Sequence, residues 1–257
     1  MLVLRSLLFN IAFYLNLAFW LVCAMATMPL PKRFLLGVAL NWAESSLWLM
    51  RVIVGTRYEV SGVENIPSGG IIMAAKHQSA WETFALITVF RNPVYILKRE
   101  LTWLPFFGWC LLKMRMIPVN RGAGSRALQM ATRRAKVELG QNGRQLLIFP
   151  EGTRRPVGAS PDYKFGVAHL YGELGVPCVP VALNAGLFWP RRSFLRRPGT
   201  IRVEILPAIQ PGIDKKAFHA LLQEQIEGAT DRLVSEGRAE LARLGVPAPA
   251  NTRQEAA

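Results

Sequence analysis

The sequence offers little to metal or redox chemistry. It has three cysteines, Cys23, Cys110 and Cys178, and only three histidines. The cysteines lie far apart and form no CxxC pair, so neither a disulfide framework nor a metal-ligand cluster is expected, and a reducing compartment fits best. They read as small apolar side chains rather than nucleophiles. Acidic residues are also scarce. Against 31 Lys and Arg stand 17 Asp and Glu, a formal net charge of +14. That excess favours a polyanionic partner, and nucleic acid, an anionic membrane surface and an acidic small substrate all qualify. Internal repeats and low-complexity blocks are missing as well. With 257 residues there is room for one sizeable domain plus an extension.

Charge is absent altogether between Arg5 and Lys32. Residues 7–28 are rich in Leu, Phe, Ala and Val, with Asn10 and Asn16 as the main polar interruptions. A helix of about 20 such residues spans roughly 30 Å, the thickness of a bilayer's hydrocarbon core. A cleaved signal peptide would have a shorter apolar region, about 7–15 residues, before a small-residue cleavage site. Ala24-Met25-Ala26 offers such a site. The length of the run, and a second apolar segment directly after it, favour retention. That second segment, residues 34–54, carries Asn41, Glu44 and Arg51 and is amphipathic, with Trp42 and Trp48 suited to an interface. Pro29 and Pro31 separate the two helices. Arg5 at one end of the first helix and Lys32 and Arg33 at the other leave its orientation open. A hairpin lying in one leaflet fits as well as a full span; a buried hairpin of a soluble domain is the alternative.

From about residue 56 short apolar runs alternate with helical stretches. Residues 71–75, 94–97, 116–119, 146–149, 176–181 and 201–205 read as strands; 81–90, 125–139, 167–174 and 214–244 read as helices. This predicts an α/β fold, a mostly parallel central sheet flanked by helices, preceded by an N-terminal membrane-embedded two-helix element. The expected units are 1–55, the helix pair; 56–245, the α/β domain; and 246–257, a disordered tail. In such sheets the site lies beyond the carboxyl ends of the strands.

His77 sits at one such end, and Glu82 follows in His77-Gln78-Ser79-Ala80-Trp81-Glu82. On one regular helix a five-residue step turns about 140°, so the two side chains meet only if His77 lies in the turn before the helix. Ser79-Ala80-Trp81-Glu82 is also a capping box, and the pattern alone supports capping and catalysis about equally. A second strand end carries Phe149-Pro150-Glu151-Gly152-Thr153-Arg154-Arg155. An Arg there can fork a phosphate, and a Glu can accept hydroxyl hydrogen bonds. Lys98 and Arg121 close two further strands. Three cations (Lys98, Arg121, Arg154) at one rim make an anion site. Arg191, Arg192, Arg196 and Arg197 read as a basic patch facing membrane or donor, and His169 and His219 as structural.

These motifs resemble those of the glycerolipid acyltransferases, most closely the bacterial 1-acylglycerol-3-phosphate acyltransferases. His77 to Glu82 matches the family's His-x4-Asp, with Glu for Asp. Ile117-Pro118-Val119-Asn120-Arg121 resembles the second motif. Phe149 to Arg154 matches the third in full, and Val179-Pro180-Val181 resembles the fourth. Order and spacing agree over about residues 60–210, and the N-terminal helices resemble the family's membrane element. The resemblance implies that His77 is a general base, oriented by Glu82, that deprotonates the sn-2 hydroxyl of a lysophospholipid for attack on an acyl thioester. It implies Lys98, Arg121 and Arg154 on the acceptor phosphate, and Glu151, Gly152 and Thr153 at the substrate. The implied co-substrate is acyl-CoA or acyl carrier protein, with no metal, no other cofactor and no nucleic acid. The implied acceptor is lysophosphatidic acid, or another lysolipid such as lyso-ornithine lipid. The implied place is the cytoplasmic face of a bacterial inner membrane, among its phospholipids. The Glu keeps the carboxylate but lengthens its reach by one methylene.

Overall fold

The computed structural model describes residues 1–120, 122, 124–141 and 143–250. Two helices come first, α1 (Leu2–Ala26) and α2 (Lys32–Leu49), the second prolonged by a π-helical turn, Met50–Val54. Gly55, at φ 86°, ends that turn in the left-handed region open to glycine, and the chain enters β1 (Thr56–Ser61). There follow β2 (Ile72–Ala75), α3 (Trp81–Ala85), β3 (Pro93–Lys98), α4 (Phe107–Lys113), β4 (Ile117–Val119), α5 (Gly124–Gly140) and β5 (Gln145–Ile148). The chain closes with α6 (Gly166–Leu174), β6 (Cys178–Leu183), α7 (Ala185–Phe188), β7 (Gly199–Ile205) and α8 (Lys215–Arg243).

The strands form one seven-stranded sheet in the order β1-β7-β6-β2-β5-β3-β4. Among the described strands only the β6–β7 pairing is antiparallel. β2 lies at the centre and is buried along its whole length. Its side chains divide by the period of two: Met73 and Ala75 enter one core with Trp81, Phe84 and Phe188, while Ile72 and Ala74 enter the other with Ala135, Tyr171 and Phe218. Helices thus cover both faces, which is why the strand reads as an unbroken apolar run.

The helix pair is built into this body. α1 is long and apolar enough to cross a membrane, and only 11% of its most apolar window is buried. Leu4, Leu8, Ile11, Leu15, Phe19 and Val22 are exposed along it. The polar interruptions mark its other face. Asn16 Nδ2 donates to Ser45 Oγ and Ser46 Oγ of α2 at 2.9 and 3.0 Å, and Asn10 Nδ2 donates to the Phe194 carbonyl. Phe9 and Phe13 pack with Trp42, Phe84 and Trp189 in one aromatic cluster. Residues 1–55 therefore share a core with the α/β unit, and the expected boundary at 55 is not a break in packing.

Two expectations need correction here. Arg196 and Arg197 are buried, because each is spent on the protein itself. Arg196 donates to Asn10 Oδ1 and to the carbonyls of Ser193 and Leu195 and lies over the Trp189 ring; Arg197 Nε donates to the Pro247 carbonyl at 2.7 Å. Only Arg191 and Arg192 remain toward the surface. The start of the expected tail is likewise held, with Val246 and Ala248 against the core and the Pro249 carbonyl accepting from Arg238. Residues 251–257 lie outside the described residues.

Candidate functional site

The parallel strands β2, β5 and β3 deliver their carboxyl ends side by side: Ala74 pairs with Ile148, and Tyr95 pairs with Leu147. His77 leaves β2 and Phe149 leaves β5 at the same rim. Residues 77–79 are not helical, and α3 begins at Trp81. His77 thus lies in the turn before the helix, as its pairing with Glu82 demands.

Glu82 is fully buried. Its Oε1 accepts from the Gln78 amide at 2.8 Å and from the Ser79 amide at 2.6 Å, and lies 2.9 Å from His77 Nδ1. Ser79 Oγ accepts from the Trp81 amide at 3.1 Å. The carboxylate half of the capping box and the His–carboxylate pair are therefore one arrangement, and a single oxygen serves both. The extra methylene of Glu is used to carry the carboxylate back to residues 77–79.

The Phe149-Pro150-Glu151-Gly152 turn closes around His77 from the other side. The Phe149 ring stacks on the imidazole at 4.0 Å between centroids and 17° between planes. The His77 amide donates to Glu151 Oε2 at 3.1 Å, and the His77 carbonyl accepts from the Arg155 amide at 2.7 Å. Gly152, at φ 65°, makes the tight return in which its amide donates to the Phe149 carbonyl. The His77 peptide is thus pinned at both its polar atoms. With Nδ1 facing a carboxylate, the other ring nitrogen, Nε2, is the one left toward the rim. The His77 side chain is 13% exposed.

The remaining expected residues divide. Lys98 ends β3, half exposed beside Glu100 at 3.3 Å, and Thr153 and Arg154 are exposed. The Arg154 carbonyl accepts from Arg191 at 2.7 Å, which brings that Arg to the same rim. Arg121 lies outside the described residues. Glu151 is placed differently from expectation. Its side chain is wholly buried, with one oxygen on the His77 amide and the other 2.9 Å from Lys76 Nζ, so neither is turned to a substrate. Burial raises its carboxyl above the ordinary range, with Lys76 pulling it back. Phe149 and Arg155 belong to the turn motif singled out in the sequence, whereas Lys76, Tyr163 and Glu227 belong to no motif there. Lys76 carried a signal, a lone cation straight after a fully apolar strand; Glu227 carried none. His169 lies on α6, and the His219 ring nitrogen Nε2 lies 3.1 Å from the Tyr163 carbonyl.

A family model described as acyltransferase matches residues 57–184. The chain is 38% identical over 209 residues to a 1-acyl-sn-glycerol-3-phosphate acyltransferase of Pseudomonas aeruginosa, covering 81% of this chain and 80% of that protein. It is 29% identical over 188 residues to a protein of the same name from Borreliella burgdorferi, 70% of this chain and 73% of the other. Among solved structures, the 1-acyl-sn-glycerophosphate (LPA) acyltransferase of Thermotoga maritima shares the fold, with a TM-score of 0.76 at 21% identity over 91% of this chain and 98% of that one.

Proposed function

The chain belongs to the acyltransferase family, and from that premise we propose that it acylates the sn-2 hydroxyl of 1-acylglycerol-3-phosphate to give phosphatidic acid. The donor is an acyl thioester, acyl-CoA or acyl carrier protein. His77 Nε2 accepts the hydroxyl proton, the alkoxide oxygen attacks the thioester carbonyl, and the tetrahedral intermediate expels the thiolate, which takes the proton from the imidazolium. A C–O bond replaces a C–S bond, and His77 ends as it began. Glu82 holds the tautomer with the proton on Nδ1 and stabilises the imidazolium, the role of the third member of a triad.

The observation that carries this reading is the threefold engagement of Glu82 Oε1. Two main-chain amides fix that oxygen, and it fixes Nδ1 in turn. A histidine so oriented, at a strand's carboxyl end on the rim where Lys98 and Arg154 also follow strands, suits a base acting on a phosphate-bearing alcohol. Lys98, Arg121 and Arg154 bind the phosphate; Gly152 and Thr153 shape the acceptor pocket. Glu151 acts on His77 rather than on glycerol.

The lipid substrates reach the site from the membrane. The segment after β3 exposes Trp103, Leu104, Phe106, Trp109 and Leu112. It is tied to the end of α1, where Lys113 Nζ donates to the carbonyls of Thr27, Met28 and Leu30. The exposed apolar face of α1 and this aromatic ridge sit in the lipid of a bacterial inner membrane, with the site on its cytoplasmic face, where thioester donors are found. The test supplies purified membranes with a labelled acyl thioester and either lysophosphatidic acid or lyso-ornithine lipid. Labelled phosphatidic acid supports the reading; product from the second acceptor alone overturns the choice of acceptor.

A further inference from the structure

Lys76 is a buried charge that the mechanism leaves unused. Lys76 follows the buried run that ends at Ala75, and its side chain is 3% exposed. An unpaired ammonium is strongly disfavoured there, and its surroundings offset this. Nζ lies 2.9 Å from Glu151 Oε1 and 2.6 Å from Glu227 Oε1 on α8. Tyr163 Oη donates to the same Glu227 oxygen at 2.9 Å, and its ring centroid lies 5.8 Å from Nζ. The end of β2, the turn after β5 and the middle of α8 are thereby joined through one cation.

We propose that Lys76 is a positioning residue for the acyl transfer: its ammonium holds the Glu151 carboxylate against the His77 amide, and Glu227 anchors the ammonium from α8. The inference rests on the reading of His77 as the base. Glu151 Oε2 is the acceptor for the His77 amide, and a carboxylate keeps that bond charge-assisted only while it stays ionised. Burial already favours its protonated form, and Lys76 is the cation that opposes this. Without Lys76 the carboxylate takes up a proton or turns away, and the His77 peptide loses its anchor. The imidazole then drifts from Glu82 and Phe149. Misplacement by about 1 Å costs about 100-fold in rate.

The test compares Lys76→Met, Glu151→Gln and the double variant in full-length enzyme, with kcat and KM per active site and thermal unfolding. Each single variant is expected to lower kcat about 10–100-fold with KM for acceptor and donor near wild type, since Lys76 and the buried Glu151 touch neither. The double variant is expected to be no slower than the slower single variant, because one linkage is broken either way. It should also unfold at a higher temperature than Lys76→Met, since the wholly buried Glu151 no longer carries an unpaired charge. Additive losses in kcat, or a loss confined to unfolding temperature with kcat per site unchanged, overturn the proposal. A substrate-independent readout separates it from the function it rests on. In enzyme with ring-labelled histidine, the His77 resonance, assigned by its absence in His77→Ala, should shift or broaden in Lys76→Met while that of His169 stays. An unmoved His77 resonance overturns the proposal whatever the acceptor. A moved resonance in an enzyme that does not use lysophosphatidic acid supports it and rejects that acceptor instead.

Discussion

Replacing Glu82 by Gln removes the charge of the buried carboxylate and leaves its geometry. Oε1 faces His77 Nδ1 and two main-chain amides fixed by the start of α3. Only the oxygen of a Gln amide can accept from those two, so the amide cannot turn its NH2 inward without opposing donor to donor. The oxygen therefore stays on His77 Nδ1 and the productive tautomer survives. What is lost is the charge that the imidazolium meets in the transition state. Hydrogen bonds to charged groups contribute about 1.5–3 kcal/mol and neutral ones about 0.5–1.5. The difference, about 1–2 kcal/mol, corresponds to a loss of about 5–30-fold in kcat. The assay is transfer from labelled acyl thioester under saturating acceptor, with thermal unfolding of the same preparation. A loss near 10⁴-fold, the size seen when a triad carboxylate becomes an amide and the tautomer is wrong, would refute the claim that the amides of Gln78 and Ser79 enforce orientation. No loss at all would leave Glu82 a helix cap and nothing more.

Three further outcomes follow from the same geometry. Phe149→Leu removes the ring stacked on the imidazole and should slow turnover about 2–12-fold, from the about 0.5–1.5 kcal/mol of such a stack, measured as kcat. Arg154→Ala should raise KM for the phosphorylated acceptor about tenfold or more with kcat held, since a charged hydrogen bond contributes about 1.5–3 kcal/mol to binding; acceptor titrations at fixed donor check this. Glu151 gives a pH signature. Its folded-state carboxyl titrates above its ordinary 4.5, so just above that pH the native state holds a proton that the unfolded chain has released, and stability falls as pH rises through the window. Glu151→Gln abolishes this component, so its stability relative to wild type should rise with pH across the window in thermal scans; a flat difference contradicts the assignment.

Much of this was legible in the residues, and the failures have physical causes. The apolar runs around Ile72, Val94, Leu146 and Ile201 announced strands because helices cover both faces of the sheet. β1 went unread: Arg57, Tyr58 and Glu59 are exposed on an edge strand and break the apolar pattern. α4 also went unread, for its seven residues are apolar on the exposed side as well, with Trp109 and Leu112 outward, and no amphipathic period exists to find. The pairing of His77 with Glu82 carried its own geometric condition, which the turn at residues 77–79 meets. Capping and pairing looked like rivals only because sequence cannot show that one oxygen does both. Arg196 and Arg197 look in the sequence like part of a basic patch facing membrane or donor, the exposed state usual for Arg; the partner that buries Arg196 is Asn10, in the distant α1. Lys76 and Glu227 meet across a separation of 151 residues, through a strand order that no local pattern encodes.

His77 is the base of the proposed acyl transfer. The most direct measurement is the rate of phosphatidic acid formation from lysophosphatidic acid and labelled acyl thioester by wild type and His77→Ala, each confirmed folded by thermal unfolding. General-base catalysis contributes about 10²–10⁴-fold, and a loss of at least that size with unchanged unfolding temperature is the predicted result. A folded His77→Ala enzyme that works at near the wild-type rate would contradict it.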